Sequence, residues 1–414
     1  MKKGLCLVVF GLTVTPLCNA SFLSSLFSSN KNNNETTQNL RSKLEFIEDE
    51  ISLDLSNKGL KELPKDLEYL KEITELHLDG NPLDPKSFKK LLKLTQLKWL
   101  FVNNCSLKVI PQALQEIETL MGIQLSENNF PESELKKLSN LKHLQILVIN
   151  NGNLKKIPAC IQDFESLRAI NLSYNPLKDD SGLNYLTTLP RLTRIYLDSC
   201  NIKNVPESIM NMSLLEKISL NKNPLTYASI ENIFKAPYLA ELSAERCGIS
   251  ELPTSMSNAF FLTELNLSNN LLSFESLKII TAAHYLNKLN LGACGITELP
   301  KEFTQLKTLK NLHIYDNQLS QESLEIICSL QSLQSLALGS CGLTQLPPEI
   351  ANLKMLIFLG LNYNALTPEG LEIVRKMPSL KEIHHAPCTP EVEEKLESLG
   401  LRKSTYREWE WSKR

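Results

Sequence analysis

The sequence lacks an excess of charge of either sign. Its 44 lysines and arginines nearly balance 46 aspartates and glutamates, which gives a net charge of −2. Binding to nucleic acid through phosphates requires a basic surplus, so we expect no nucleic-acid partner. Apart from its N-terminal leader, the chain also lacks a run of about 20 apolar residues, the length that spans a bilayer. We therefore expect no membrane span.

Arrangements of residues that carry out catalysis are missing as well. The chain has no glycine-rich phosphate loop, and none of its six histidines stands with a nucleophile and an acid in a recognisable order. His385 and Cys388 could ligate a metal, but packing explains both residues more simply. We expect no enzyme activity, no cofactor and no metal.

Residues 1–20 have the features of a secretory signal peptide. Two lysines precede an apolar run that is too short to span a bilayer, and Ala20 suits cleavage after it. Lipidation of Cys18 is an alternative, although Leu17 is bulky where a lipoprotein signal prefers a small residue. The sequence thus predicts export, and leaves open whether the protein stays in the periplasm, at the surface or outside the cell.

The rest of the chain is built from a repeat of 23 or 24 residues. Each repeat opens with alternating apolar residues, which predicts a short strand. The first apolar strand positions are Leu53, Leu76, Leu100, Ile123, Leu147, Ile170, Ile195, Ile218, Leu242, Leu265, Leu289, Leu312, Leu336, Leu359 and Ile383. Self-similarity at a fixed period is typical of a solenoid, in which neighbouring repeats stack over one continuous core.

Two kinds of repeat alternate, so the true period is about 47 residues. One kind has asparagine at a fixed slot after the strand: Asn81, Asn128, Asn175, Asn223, Asn270, Asn317 and Asn364. The other has cysteine there: Cys105, Cys200, Cys247, Cys294, Cys341 and Cys388, with Lys58 and Gly152 taking the slot in the first and fifth repeats. An amide both donates and accepts hydrogen bonds, so it can satisfy the backbone where the strand ends.

The slot cysteines are not expected to form disulfides. The closest of them lie two repeats apart, roughly 10 Å at the usual strand spacing, which exceeds the limit of about 7 Å for a bridge. They are interpreted as buried thiols that fill small apolar spaces. Cys160 and Cys328 lie in connecting segments, and their state cannot be read from the sequence.

The segments that return from one strand to the next also differ between the two kinds. Cysteine-type repeats pass through Leu-Pro pairs such as Leu252-Pro253, which favour an extended path. Asparagine-type repeats carry helical patterns, and Thr367-Pro368-Glu369 has the order of a helix start. We expect a short helix on the outer face of every second repeat.

The pattern Leu-x-x-Leu-x-Leu-x-x-Asn/Cys-x-Leu, found fourteen times between Ile51 and Leu366, closely resembles the leucine-rich repeat family. Strict alternation with a helical second kind is similar to ribonuclease inhibitor. The resemblance implies an α/β solenoid, a horseshoe whose concave face is a parallel sheet of about 15 strands, with short helices or extended segments on the convex side. It also implies binding on the concave face. The cysteine-flanked end caps of animal extracellular members are absent, which points to a bacterial secreted protein.

The domain boundaries follow from these patterns. After the leader, residues 21–38 are polar and of low complexity, which predicts a disordered linker. Residues 39–50 carry apolar positions at helical spacing and are expected to form an N-terminal capping helix. The repeats occupy 51–388, and 389–414 should cover the last repeat, whose core layer would otherwise face water.

Four apolar residues, Trp99, Phe101, Ile146 and Val148, should cluster on the concave face, where Gly122 leaves room for Trp99 to lie over the strand between. Buried aromatic anchors of this kind dominate the energy of protein interfaces. The alternative is that the aromatic rings only cover the sheet.

Further candidate residues extend this surface. Tyr174, Arg194, Tyr196 and Lys217 supply the tyrosine and cation chemistry that interfaces favour. Tyr315, Phe358 and Tyr363 form a second aromatic group near His313, with packing against the C-terminal cover as the alternative.

The sequence therefore predicts a secreted, non-enzymatic, monomeric recognition protein that binds a protein or extended peptide, a host protein being one candidate. A glycan- or cell-wall-binding role and a structural role in the envelope are the alternatives.

Overall fold

A computed structural model describes residues 43–47, 50–387, 389–403 and 410–413. These residues contribute 18 strands to one sheet. The strands are β1 (Leu44–Ile47), β2 (Glu50–Asp54), β3 (Glu75–His77), β4 (Trp99–Phe101), β5 (Gly122–Gln124), β6 (Ile146–Val148), β7 (Ala169–Asn171), β8 (Arg194–Tyr196), β9 (Lys217–Ser219), β10 (Glu241–Ser243), β11 (Glu264–Asn266), β12 (Lys288–Asn290), β13 (Asn311–His313), β14 (Ser335–Ala337), β15 (Phe358–Gly360), β16 (Glu382–His384), β17 (Leu401–Lys403) and β18 (Glu410–Lys413).

The fifteen strands β2 to β16 are parallel and pair strictly in chain order. All fifteen predicted strand positions lie in these strands, in a single register that aligns each with its neighbour. The prediction of a parallel solenoid sheet of about 15 strands is therefore confirmed. Leu55, Leu172 and Leu291 are all buried, and one apolar core runs from Leu53 to Leu401.

Each slot asparagine joins its own repeat to the preceding one. Asn128 Oδ1 accepts hydrogen bonds from the backbone N–H groups of Cys105 and Leu107, both at 3.0 Å. Its Nδ2 donates to the carbonyl of Val102 at 2.8 Å and to that of Leu125, in its own repeat, at 3.0 Å. The other six slot asparagines make the same four contacts. The amide thus satisfies backbone groups at the ends of two strands at once, as the sequence predicted.

The slot cysteines are buried free thiols, as expected for Cys105, Cys200, Cys247, Cys294 and Cys341. They do more than fill space, because each Sγ donates a weak hydrogen bond to a carbonyl of the preceding repeat, for example Cys200 to Leu172 at 3.1 Å. Burial raises the pKa of the Cys200 thiol to about 12. A thiolate is the reactive form of cysteine, so these residues are chemically quiet. Cys388 lies outside the described residues.

The turn after each strand requires a left-handed backbone. The residue before the slot has positive φ in all fourteen repeats from Asn57 (57°) to Tyr363 (59°), including Gly80 (68°). Cysteine-type repeats add a second left-handed residue directly after the slot, such as Asn201 (59°) or Gly248 (72°). Asparagine and glycine tolerate this conformation best, which explains why they recur there.

The convex side carries a helical turn in every repeat from the first to the fourteenth. Four α-helices lie in asparagine-type repeats: α1 (Leu183–Leu186), α2 (Tyr227–Ile233), α3 (Phe274–Ile280) and α4 (Gln321–Cys328). The 3₁₀ helices are Lys65–Tyr69, Pro85–Lys93, Gln112–Glu116, Glu132–Leu138, Ala159–Asp163, Asp180–Gly182, Glu207–Asn211, Thr254–Asn258, Lys301–Gln305, Pro348–Asn352 and Glu369–Lys376. Within the repeats that the structure describes, α-helices therefore occur only in the asparagine type, although three of these repeats carry a 3₁₀ helix alone.

The expectation of a wholly extended return in cysteine-type repeats is wrong. Each proline of the Leu-Pro pair is extended, as Pro253 is with ψ 148°, but a five-residue 3₁₀ helix begins at the next residue. Proline lacks an N–H and suits the position before a helix, so the same residue that ends the extended path starts the turn.

A serine near the start of α2, α3 and α4 links each of these helices to the preceding repeat. Thr226 caps α2 by accepting from the backbone N–H of Ser229. Ser229 Oγ in turn accepts from the N–H of Val205 at 2.9 Å and donates to the carbonyl of Lys203 at 2.7 Å. Ser276 and Ser323 repeat this arrangement in α3 and α4. Backbone groups of the extended return are therefore satisfied by the next repeat's helix.

The ends of the sheet differ from expectation at one side. The predicted helix over 39–50 is wrong where the chain is described, because 44–47 form β1, an antiparallel partner of β2. An amphipathic pattern in so short a segment fits either structure, and the open edge of β2 supplies unpaired backbone groups that favour a strand. Residues 1–42 lie outside the described residues, and with them the predicted leader and linker.

At the other end, α5 (Pro390–Ser398) follows the last repeat and is capped by Thr389, whose side chain accepts from the N–H of Val392. β18 then pairs antiparallel with β16 on one side and β17 on the other. The strands thus continue past the last repeat in antiparallel sense. Residues 404–409 and 414 lie outside the described residues, so the covering role of the whole segment 389–414 stays a prediction.

We predict that Asn128→Asp lowers the free energy of unfolding by about 2–5 kcal/mol, because two buried carbonyls lose their donor and face a carboxylate oxygen instead. Urea melts followed by circular dichroism measure this change. Asn129→Asp is the matched control, since the neighbouring asparagine is exposed and the expected change is within about 0.5 kcal/mol. Equal losses in the two variants would show that the amide does not hold the repeats together.

Candidate partner-binding surface

The strand register places side chains in straight rows on the concave face. In each three-residue strand the central apolar residue points into the core, and the residues on either side point to the concavity. The first row passes through Trp99, Gly122, Ile146, Ala169, Arg194, Lys217, Glu241, Glu264 and Lys288, as the strand pairings show. The side chains of successive repeats therefore lie next to one another along each row.

The apolar cluster forms, but it is largely covered by its own neighbours. Trp99 lies over Gly122, where an added Cβ would come within 2.2 Å of the ring atom Cζ3. Trp99 and Phe101 are each only 8% exposed, Val148 is buried, and Ile146 is half-buried. The geometry predicted for Trp99 and Gly122 is therefore confirmed. These four residues form a largely buried apolar surface on the concave face, which we call the apolar floor. They expose little area to a partner.

An acid–histidine pair borders this floor. His77 stacks on Phe101, with ring centroids 4.1 Å apart and planes within 6°. Its Nε2 lies 2.6 Å from Glu75 Oε1. Burial lowers the pKa of His77, but the hydrogen bond and charge of Glu75 and the charges of Asp54 and Asp79 outweigh burial, so the net pKa is raised. The edge of the floor is thus polar and acidic.

A tyrosine and two cations follow on the next strands. Arg194 and Tyr196 flank the core residue of β8, and Lys217 begins β9. Lys217 Nζ lies 5.8 Å from the centre of the Tyr196 ring and 2.5 Å from Glu241 Oε2. The structure therefore brings these predicted residues together as one half-buried band.

Beyond this band the charges alternate and pair across strands. Glu264 and Lys288 form a second ion pair at 2.6 Å, next to the pair of Lys217 and Glu241. The four residues border a shallow concave cavity of about 270 Å³, whose floor includes Asn266 and Asn290. His313, whose pKa is lowered by burial, lies at its far end. Lysines and glutamates of four neighbouring strands thus line one concave cavity.

The predicted tyrosines of the turns are the most accessible candidates. Tyr174 is 54% exposed, and Tyr363 is exposed further still. Both have left-handed backbones, with φ of 62° and 59°. This conformation is unusual for a bulky side chain and projects each ring from the rim of the sheet where the strands end.

The second aromatic group is divided between its own neighbours. Tyr315 lies over Gly292, where an added Cβ would come within 2.3 Å of the ring, repeating the arrangement of Trp99 and Gly122. Phe358 packs edge-on against His384, with centroids 4.6 Å apart. These two rings are thus part of the sheet surface, whereas Tyr363 projects from it.

One exposed row of apolar residues is not among the candidates predicted from the sequence. Leu214, Tyr238, Phe261 and Tyr285 each stand three residues before a strand, at the opposite rim from Tyr174. Comparing the residue three before each strand along the aligned repeats identifies these four from the sequence. Among the described residues no group of three His, Cys, Asp or Glu could hold a metal ion, and no helix has the length and apolar character to cross a membrane.

Comparison with known sequences gives one match and one negative result. Residues 51–260, half of the chain, match the sequence profile of a leucine-rich repeat region. No curated protein sequence matches the chain.

Many solved structures are similar to this one, and three of them illustrate the likeness. An internalin from Listeria monocytogenes is 20% identical, with 86% of this chain and 89% of that chain covered and a TM-score of 0.59. A leucine-rich repeat protein from Leptospira interrogans is 27% identical, with 80% and 94% covered and a TM-score of 0.58. TLR13, in a complex with ssRNA13, is 20% identical, with 82% and 55% covered and a TM-score of 0.58. At 20% identity the first and third show likeness of fold alone.

We predict that Gly122→Ala displaces the Trp99 ring and lowers the free energy of unfolding by about 1–3 kcal/mol, the usual cost of overpacking. Chemical denaturation measures the loss, and a red shift of tryptophan emission reports the displaced ring. Gly360→Ala is the control, because an added Cβ there makes an ordinary contact of 3.4 Å with Ala337 Cα. A Gly122→Ala protein as stable as the control would mean that Trp99 does not lie over the glycine.

Proposed function

Because the chain belongs to the leucine-rich repeat family, we propose that it is a non-enzymatic recognition protein that binds a protein or an extended peptide on its concave face. One observation carries the proposal. A single strand register sets an apolar floor, a tyrosine–cation band and an ion-paired cavity side by side across neighbouring repeats. A surface with such an ordered change of chemistry suits a long partner that contacts several repeats together.

The size of the surface supports a macromolecule over a small ligand. Fifteen strands at about 4.8 Å spacing give a concave arc of roughly 70 Å. The concave cavity of about 270 Å³ is open and lies below the range of about 300–1,000 Å³ typical of small-molecule sites. The surface therefore suits an extended partner that gains affinity from many modest contacts.

The charges support a protein over a nucleic acid. Lys217 and Lys288, the lysines of the concave cavity, are each paired with a glutamate on a neighbouring strand. A phosphate backbone would have to displace these carboxylates, whereas a protein with mixed charges can join the pairs. The ssRNA in the TLR13 structure is therefore not carried over to this chain.

A glycan is the second candidate. The amides of Asn266 and Asn290 and the exposed Tyr174 and Tyr363 rings offer the hydrogen bonds and apolar faces that a sugar chain contacts. Binding on a glycan array that Tyr174→Ser removes would favour this alternative. A structural role in the envelope would give neither binding on the glycan array nor a specific adduct in the crosslinking experiment described below.

Export is proposed from the sequence of residues 1–20. We expect cleavage after Ala20, and a monomer that meets its partner outside the cytoplasm, a host protein being one candidate. The leading experiment is a photo-crosslinking scan, because it captures a protein partner of any identity.

We predict that a photoreactive phenylalanine at Tyr174 forms a specific adduct with a protein in the cells or medium of the source. The side chain stands on the concave rim, where a bound partner would contact it. The control is the same residue at Tyr227, which is equally exposed at 54% but lies on the convex helix α2. Adducts at Tyr227 and none at Tyr174 would place recognition on the convex side.

We predict that the exported protein begins at Ser21, because the small side chain of Ala20 suits cleavage by the signal peptidase. N-terminal sequencing of the protein from fractionated cells measures this. A Cys18→Ala protein should be processed in the same way. A blocked, lipid-modified N-terminus that Cys18→Ala abolishes would instead establish the lipoprotein alternative.

A further inference from the structure

The loops that lead into β9 to β12 form an exposed apolar rim. At three residues before each strand stand Leu214, Tyr238, Phe261 and Tyr285, which are between 49% and 62% exposed, and Phe260 beside them is 66% exposed. We call these five residues the aromatic edge. Two of its rings pack against each other: those of Tyr238 and Phe261 have centroids 5.1 Å apart and planes tilted by 42°.

The fold itself does not require apolar residues at this position. The same position holds polar residues in the preceding repeats: Glu72, Gln96, Thr119, His143, Ser166 and Arg191. It is polar again in the two repeats that follow, at Thr308 and Ser332, and apolar once more at Met355. The strands of these repeats pair in one register whichever residue stands here, so stacking does not require the four consecutive apolar residues.

The aromatic edge also carries no charge in a chain that is 22% charged. The loops 236–240, 259–263 and 281–287 contain no Asp, Glu, Lys or Arg, and the loop 212–216 that carries Leu214 contains only Glu216. Ion pairs of both signs border it, Lys217–Glu241 and Glu264–Lys288 on the concave side and Lys235–Glu207 on the convex side. An uncharged aromatic centre within a mixed-sign polar rim is the anatomy of a protein interface.

The exposed area argues for a partner that continues beyond the edge. Aromatic side chains of about 150–250 Å² that are half exposed, with Leu214 added, give roughly 400–500 Å² of apolar surface. Two copies of this chain meeting only there would bury about 800–1,000 Å² in total, less than the roughly 1,200–2,000 Å² that a stable interface buries. A larger interface requires the neighbouring concave cavity, which the same four repeats provide.

Two other occupants fit the edge less well. The tilted, mutually packed rings of Tyr238 and Phe261 do not form the flat platform on which a sugar ring stacks. The ion pairs at the border supply as many acids as bases, whereas surfaces that bind anionic membranes are basic.

We propose that the aromatic edge is a docking site for an uncharged, apolar segment of a protein partner, whose remaining length crosses the rim into the concave cavity. This inference rests on the proposed function for the partner's class, but it assigns a separate contact surface with its own residues.

The test pans a phage library of random 12-residue peptides against the immobilised full-length chain. The edge variant carries Tyr238→Thr, Phe261→Ser and Tyr285→Gln, which are the residues that Thr119, Ser166 and Gln96 place at the same position elsewhere. Its fold should therefore be retained, as a melting curve checks. The control variant carries Thr119→Ser, Ser166→Thr and Gln96→Asn in the polar part of the rim.

Peptides rich in apolar and poor in charged residues should be enriched, and their binding should fall at least tenfold on the edge variant and stay unchanged on the control. Failure to enrich such peptides, or equal binding to the edge variant, overturns the inference. So does edge-dependent sedimentation of the protein with phosphatidylcholine vesicles, since the occupant would then be lipid. A Tyr174→Ser, Tyr196→Ser protein separates the two proposals: peptides lost there but kept on the edge variant support the concave site alone.

Discussion

The buried side-chain amide that joins neighbouring repeats is the interaction on which this structure depends. A strand of three residues ends with backbone groups that its own repeat cannot pair, and Asn175 meets them by accepting from Gly152 and Leu154 and donating to Ile149 and Leu172. These four bonds fix the distance and register of adjacent coils. Burial of the leucine core supplies most of the free energy, but burial is not directional, whereas the amide sets where each coil lies.

Alternation of asparagine and cysteine follows from the same requirement. The asparagine amide of one repeat hydrogen-bonds the backbone of the turn in the preceding repeat. The slot residue of that preceding repeat therefore needs little hydrogen-bonding capacity of its own, and a thiol that donates weakly is sufficient there. Gly152, which has no side chain at all, holds this slot because Asn175 Oδ1 accepts from its N–H at 2.9 Å. The cysteine-type turn contains a second left-handed residue, such as Asn201. The extended segment that follows it hydrogen-bonds the serine of the next repeat's helix, as Val205 does with Ser229.

Most of the fold can be predicted because it repeats. Strand positions, the asparagine slot and the glycine beneath Trp99 each follow from local chemistry that recurs along the chain. β1 could not be predicted, because a hairpin at an open edge depends on the unpaired strand beside it and occurs once. The 3₁₀ turns after proline escape sequence reasoning, since five residues give no helical period. In the candidate site the predicted apolar cluster forms, but the burial of Trp99 and Phe101 depends on how His77 and Gly122 pack beside them, which no single repeat reveals.

Recognition in such a protein must use the positions that the repeat leaves unconstrained. The central strand residue, the slot and the left-handed turn are determined by stacking, so they say little about a partner. The concave strand positions run from Trp99 through Arg194 to Lys288, and the position three before each strand runs from Glu72 through Phe261 to Ser332, although the strands pair in one register throughout. Stacking therefore does not determine which side chains these positions carry. The change from polar to apolar residues in the loops before β9 to β12, beside the ion-paired concave cavity, is therefore the strongest sign of where a partner binds.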